Sequence, residues 1–152
     1  MPQRLDHNAV APAGMRALGE VYGYVLKSSL PTALTNLAYL RTSQINGCAF
    51  CIDVHSRDLL KGGMAVDKLL LVQAWREAGD LFDARERAAL AWSESVTGVA
   101  DTGVPTADYE AAATVFGERE LVDLTLAIGL MNIYNRMAIS FRAVPEAAKR
   151  NP

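Results

Sequence analysis

The chain has 152 residues, 51% of them apolar and 21% charged, with a formal net charge of -2. A chain of this length buries about 70% of its unfolded surface, so one domain spanning 1–152 is expected to fold without disulfide staples. Its 15 Lys and Arg residues are scattered without a run, which argues against a nucleic-acid footprint or a polybasic membrane anchor.

Ala (24) and Leu (18) far outnumber Val (12) and Ile (5), and no stretch alternates polar and apolar residues long enough for a sheet. An all-α chain of about seven helices is therefore expected. The first 20 residues hold Arg4, Asp6, His7, Arg16 and Glu20 and no apolar run of the kind a secretory signal needs, so a cytoplasmic location is expected. After Pro12, the positions Met15, Leu18, Tyr22 and Val25 recur at helical spacing and predict an amphipathic first helix that stops before Pro31. A second runs from about Thr32 to Asn46, closed by Asn46-Gly47. A third starts at Cys48 and runs to Lys61, ended by Gly62-Gly63, and a short fourth spans about Val66 to Glu77. The fifth opens on Asp83 and Glu86, an N-cap and N3 pair able to satisfy two free amides, and continues to about Val99. Thr106 is expected to cap a sixth.

The seventh, from about Glu118 to Arg142, is apolar on most sides and predicts either the central core helix or one covered by another subunit. Asn132, Asn135 and Arg136 interrupt it, which argues against a membrane span and for buried or inter-subunit hydrogen bonds. The tail after Pro145 is expected to fray.

The only two cysteines, Cys48 and Cys51, stand three apart, and His55 follows Cys51 by four. At about 100° per residue the three lie within roughly 60° of one another and share one helix face. A helix N-terminus offers partial positive charge and free amides that stabilise a thiolate, and His55, one turn beyond Cys51, can exchange a proton with it. Such a thiolate attacks a peroxide oxygen or a disulfide sulfur. Two other readings use the same residues: small buried hydrophobes, or a zinc site. Zinc would need a fourth ligand from a carboxylate, a water or another subunit, since His7 is the only other histidine. Redox chemistry is preferred, with no metal and no bound cofactor.

The run 40–55, Leu-Arg-Thr-Ser-Gln-Ile-Asn-Gly-Cys-Ala-Phe-Cys-Ile-Asp-Val-His, resembles the core motif of AhpD-like alkylhydroperoxidases in the carboxymuconolactone decarboxylase family. The likeness extends through Ala74-Trp75-Arg76-Glu77, the run 86–92, and Leu121-Val122-Asp123-Leu124 leading to Asn132 and Asn135-Arg136, covering about Arg4 to Pro145. The resemblance implies an all-α AhpD-like fold, a homo-oligomer that is a dimer or a trimer of dimers, and a redox-active Cys-x-x-Cys. Carried over by position, Cys51 matches the peroxidatic cysteine, Cys48 the resolving one and His55 the proton relay. The implied partners are a hydroperoxide and an external dithiol, thioredoxin-like or lipoyl reductant. The family's relay commonly includes a glutamate twelve residues before the first cysteine, and here that position is Asn36. An amide does not accept a proton near neutral pH, so a general disulfide reductase and a non-catalytic redox-sensing oligomer stand as alternatives.

Asn36, Tyr39 and Ser43 fall at i, i+3 and i+7 and form one polar face that either lines the thiol pocket or faces solvent. Asp58, three residues after His55, is a candidate to orient its imidazole. Arg41 lies in the apolar stripe of the second helix and is read as structural, in need of a carboxylate partner. Trp75, Trp92, Tyr134 and Phe141 are assigned to core packing.

Overall fold

Ten α-helices and one 3-10 helix, with no strand, make up the regular structure of the described residues 1–150 in the computed structural model. The helices are α1 His7–Val10, α2 Pro12–Leu26, α3 Thr32–Asn46, α4 Ala49–Lys61 and α5 Val66–Leu70. After the 3-10 helix Val72–Glu77 come α6 Ala84–Thr97, α7 Val99–Thr102, α8 Thr106–Ala113, α9 Glu118–Phe141 and α10 Glu146–Arg150. None of the helices is long and apolar enough to cross a membrane.

The count exceeds seven because α1, α7 and α10 are single turns, too short for a periodicity to register. The expected fourth helix is split: beyond Leu71 the chain tightens to 3-10 winding, which turns Val72 and Trp75, three apart, into the core together. Thr106 is the first helical residue of α8 and makes no capping bond; the N-cap is Pro105. The tail after Pro145 does not simply fray. It forms α10, tied to α4 by the Ala147 amide donating to Asp53 Oδ2 at 3.0 Å. Residues 151 and 152 lie outside the described residues.

Two local motifs set the frame as expected. The Asp83 carboxylate accepts from the Glu86 amide at 2.9 Å while Glu86 accepts from the Asp83 amide at 2.8 Å, a reciprocal capping box that starts α6. At the end of α3, Gly47 takes the left-handed conformation (φ 69°), and the Cys48 amide reaches back to the Ser43 carbonyl at 2.9 Å. That six-residue closure turns the chain sharply and delivers Cys48 directly to the start of α4.

The central helix is α3, not α9. From Leu34 to Leu40 every side chain of α3 is buried, and the helix packs against α4, α6 and α9. Its small polar residues can be enclosed because the helix itself satisfies them, as Thr35 Oγ1 does by donating to the Thr32 carbonyl at 3.0 Å. Burial of α9 is one-sided: Leu124, Ala127, Ile128 and Met131 face inward while Val122, Leu126, Ile133 and Ile139 remain exposed. Arg41 finds its carboxylate, with Nε donating to Glu94 Oε1 at 2.9 Å. Glu94 also accepts the Trp75 indole N–H and pairs with Arg76, locking α3, α6 and the 3-10 helix together.

Candidate active site

The α3–α4 corner determines where each sulfur sits. Cys48 is the N-cap of α4, whose first helical residue is Ala49, one later than the expected start at Cys48, and its Sγ accepts from the Cys51 amide at 3.4 Å. Cys51 follows at the third helical position, and the two sulfurs approach to 2.7 Å. Both are free thiols and both are buried, Cys48 to 1% exposure and Cys51 to 4%. Closing them into a disulfide shortens the gap by only about 0.7 Å.

The pair holds its first negative charge on Cys48. The Cys51 thiol hydrogen bond, assisted by the backbone amides of Cys51 and Phe50 and by the Asn135 side chain, overcomes burial and lowers Cys48 to about 7. The same hydrogen bond, with burial and the Cys48 charge, pushes Cys51 strongly up. Cys48 borders a cavity of about 430 Å³ with Ala138, Arg142 and Ala143, and Cys51 opens onto a different one. Cys51 lines a cavity of about 470 Å³ together with His55, Met15, Tyr22, Phe50, Met131 and Tyr134, and Cys48 does not. A cavity of that size and mostly apolar lining suits a small organic molecule.

His55 is 5% exposed, and burial lowers it to about 4 against the opposing pull of Asp58. At neutral pH it is therefore an uncharged imidazole, made a weaker base by its burial. Its Nδ1 has no hydrogen-bond partner, and the nearest Asp58 oxygen lies at 3.7 Å, so Asp58 acts through charge and does not orient the ring by a hydrogen bond. Packing orients it instead: the Tyr39 ring lies 5.0 Å away, and Tyr39 in turn stacks on Tyr22 at 6.0 Å.

A family profile for the carboxymuconolactone decarboxylase family matches residues 12–95. The uncharacterized protein YdfG of Bacillus subtilis (strain 168) is 36% identical over 140 residues, 92% of this chain and 95% of that protein. The chain belongs to the carboxymuconolactone decarboxylase family. Within it, the fold is AhpD-like: a protein of unknown function from Agrobacterium tumefaciens, ATU0492, provisionally described as the antioxidant defence protein AhpD, superposes with a TM-score of 0.91. That protein is 35% identical, with 95% of this chain and 98% of the other covered. The debrominase Bmp8 shares the fold alone, at a TM-score of 0.81 and 20% identity over 93% of this chain and 76% of its own.

The polar α3 face turns inward. Asn36, Tyr39 and Ser43 are all buried, which rules out a solvated face. Tyr39 shares a buried cluster with both cysteines and lies against His55, and the Ser43 hydroxyl favours the anion at Cys51. Asn36, at the position of the family's relay glutamate, is not among the residues lining the cavity. Among the described residues no three His, Cys, Asp or Glu side chains gather into a metal-binding group.

One residue of the site escaped the sequence reading. Asn135 of α9, assigned there to structural hydrogen bonding, does serve that role: it accepts from Asn46 Nδ2 at 2.9 Å and donates to Ser43 Oγ at 3.0 Å. It also stabilises the anion at both sulfurs. The available signal was the polar interruption of an apolar helix, since a fully buried amide there has to be matched by something polar opposite. Of the expected core aromatics, Trp75 and Trp92 are buried in the core, Tyr134 lines the cavity, and Phe141 stacks on His7 at 5.7 Å.

Proposed function

We propose that this chain is a thiol-dependent peroxidase in which Cys51 is peroxidatic, Cys48 resolving and His55 the proton relay. The observation that carries the reading is the sulfur pair at 2.7 Å, with Cys51 opening onto an apolar cavity beside an uncharged imidazole. In the resting pair Cys48 holds the charge and Cys51 the proton. Passing that proton to Cys48, by way of His55, moves the charge to Cys51, the sulfur on the substrate cavity. The Cys51 thiolate then attacks the distal oxygen of a hydroperoxide, breaking the O–O bond and leaving an alkoxide that is protonated to the alcohol. The protonated Cys48 condenses with the Cys51 sulfenic acid, releasing water and forming the disulfide. An external dithiol, thioredoxin-like or lipoyl, restores both thiols by exchange.

A second reading is favoured by one observation. The acidified sulfur is the first cysteine of the Cys-x-x-Cys, the arrangement that suits attack on a disulfide, so the chain would act as a general disulfide reductase. Trapping separates the two. In Cys48→Ser, one equivalent of a hydroperoxide is expected to yield a dimedone adduct on Cys51, and the wild-type chain is expected to turn over peroxide repeatedly with a dithiol donor. No adduct, with rapid reduction of a mixed disulfide through Cys48, refutes the peroxidase. A single oxidation without turnover identifies a redox-sensing oligomer instead.

A further inference from the structure

Two separate cavities border the cysteine pair, and the peroxidase scheme uses one of them. Cys51 lines the first, of about 470 Å³, and Cys48 lines the second, of about 430 Å³; neither cysteine lines the other's. Phe50, Ala138, Ala143 and Val144 border both and stand between them. The second cavity follows from the way α9 ends. Arg142 takes the left-handed conformation (φ 53°) and the Ala143 amide reaches back to the Ala138 carbonyl at 2.9 Å. That turn brings Val144, Pro145 and, from α10, Ala148 to the wall beside Cys48.

One side chain sets the chemistry of that cavity. Among the described residues, Arg142 is the one charged side chain lining it, in a wall otherwise built of Met, Gly, Cys, Ala, Phe, Ile, Val and Pro. The carboxylates on the neighbouring elements are committed elsewhere. Asp53 accepts from Arg57 at 2.8 Å and from the Ala147 amide at 3.0 Å, and Glu146 pairs with Lys149 at 2.6 Å. The Arg142 guanidinium has no hydrogen-bond or ion-pair partner among the described residues. Its backbone sits where glycine is favoured, yet the position carries a cation. An unclaimed guanidinium on an apolar cavity draws an anion, above all a carboxylate.

We propose that the cavity beside Cys48 is the entrance for the reductant, a small thiol whose carboxylate is held by Arg142, while the hydroperoxide enters beside Cys51. This rests on the peroxidase reading and gives its reducing step a site and a substrate class. Both cysteines are almost fully enclosed, so a slender molecule reaches them where the flat face of a reducing protein does not. A thiolate displaces a disulfide sulfur in line, coming to Cys48 from the side away from Cys51, and the cavity that Cys48 lines without Cys51 is the space open to it. The incoming thiolate bonds to Cys48 Sγ, the bond between Cys48 and Cys51 breaks, and Cys51 leaves as a thiolate that takes up the proton the reductant has shed. A second thiol, on the same molecule when the reductant is a dithiol, attacks the reductant's sulfur and releases Cys48. With its thiol at about 7, Cys48 is a ready leaving group. Two thiols and the protein disulfide thus become one small-molecule disulfide and two reduced cysteines, the second proton going to Cys48 or, where it stays ionised, to solvent.

The test uses full-length protein whose cysteine pair has been closed with diamide, so that reduction is followed without peroxide. The probes are dihydrolipoate and dihydrolipoamide, the same dithiol with a carboxylate or a carboxamide at the far end of its chain. Rates of reduction are read by acid quench, alkylation and mass spectrometry. Dihydrolipoate is expected to react about 3- to 10-fold faster at low salt, with the ratio falling as salt is added. Arg142→Gln should bring the ratio close to one, and Arg142→Lys, which keeps the charge, should preserve it. Ala148→Trp, which fills the cavity beside Cys48, should slow both dithiols about 10-fold more than Val54→Trp, which fills the cavity beside Cys51. A wild-type ratio near one, a ratio that Arg142→Gln leaves unchanged, or a larger loss in Val54→Trp than in Ala148→Trp overturns the proposal, as does a pair that diamide does not close. A reduced chain that cumene hydroperoxide leaves untouched refutes the peroxidase reading itself, and the dithiol ratios are measured independently of that result.

Discussion

Removing the Asn135 amide tests whether the acidity of the thiol pair comes from the architecture around it. Asn135 is fully buried, and with one amide hydrogen committed to Ser43 it retains a second for the sulfurs. An N–H donor favours the charged sulfur, so its loss raises the Cys48 value from about 7. A hydrogen bond to a buried charge contributes about 1.5–3 kcal/mol, which corresponds to a rise of about 1–2 in pKa at 1.36 kcal/mol each. At a pH below the original value as well as the shifted one, the thiolate fraction falls about 10-fold for each unit of that rise, and alkylation there slows about 10- to 100-fold. Asn135→Ala is expected to show this loss, with the rate recovering toward the wild-type plateau as the pH is raised. Because Asn46 and Ser43 lose a partner as well, the variant's helical circular dichroism is recorded first, and Asn135→Asp, which keeps the shape and adds a repelling charge, should move the profile in the same direction. A folded Asn135→Ala protein whose alkylation profile overlays the wild type refutes the account of the thiolate given above.

Two further outcomes follow from the geometry. His55, enclosed by Tyr39 of α3, Tyr22 of α2 and its own helix neighbours Cys51 and Asp58, falls from 6.5 to about 4 on folding, so the unfolded chain binds a proton that the folded chain refuses between those values. Its contribution is complete above about pH 6.5 and shrinks by about 3 kcal/mol as pH falls to 4; urea midpoints measured across that window should drop less steeply in His55→Phe, and parallel curves would disprove it. The apolar groove between α2 and α9, with Val21, Val122, Leu126 and Ile133 exposed, is expected to be covered by a second copy of the chain. Light scattering should give at least twice 16.4 kDa for the wild type and a smaller mass for Leu126→Glu, whereas a wild-type monomer at all concentrations would rule the interface out.

The Cys-x-x-Cys, the capping box of α6 and the helix boundaries at Pro31 and Gly47 were legible because each is a local device: its chemistry is complete within a few residues of sequence. What escaped the sequence depends on distant matching. A long apolar helix such as α9 reads from composition as either central or covered by another subunit, and α3 takes the centre because its Thr, Ser and Asn side chains can be satisfied where they lie, by the helix's own carbonyls or by a facing amide such as Asn135. The site follows the same rule. Cys48, Cys51 and His55 share one face of one helix and are found by counting, whereas Asn135 reaches the sulfurs from 84 residues further along the chain than Cys51. His7 comes from a single turn whose place is set by Arg4 bonding to the far end of α9. No periodicity carries that contact. Through it two histidines 48 positions apart in the sequence come to line one cavity.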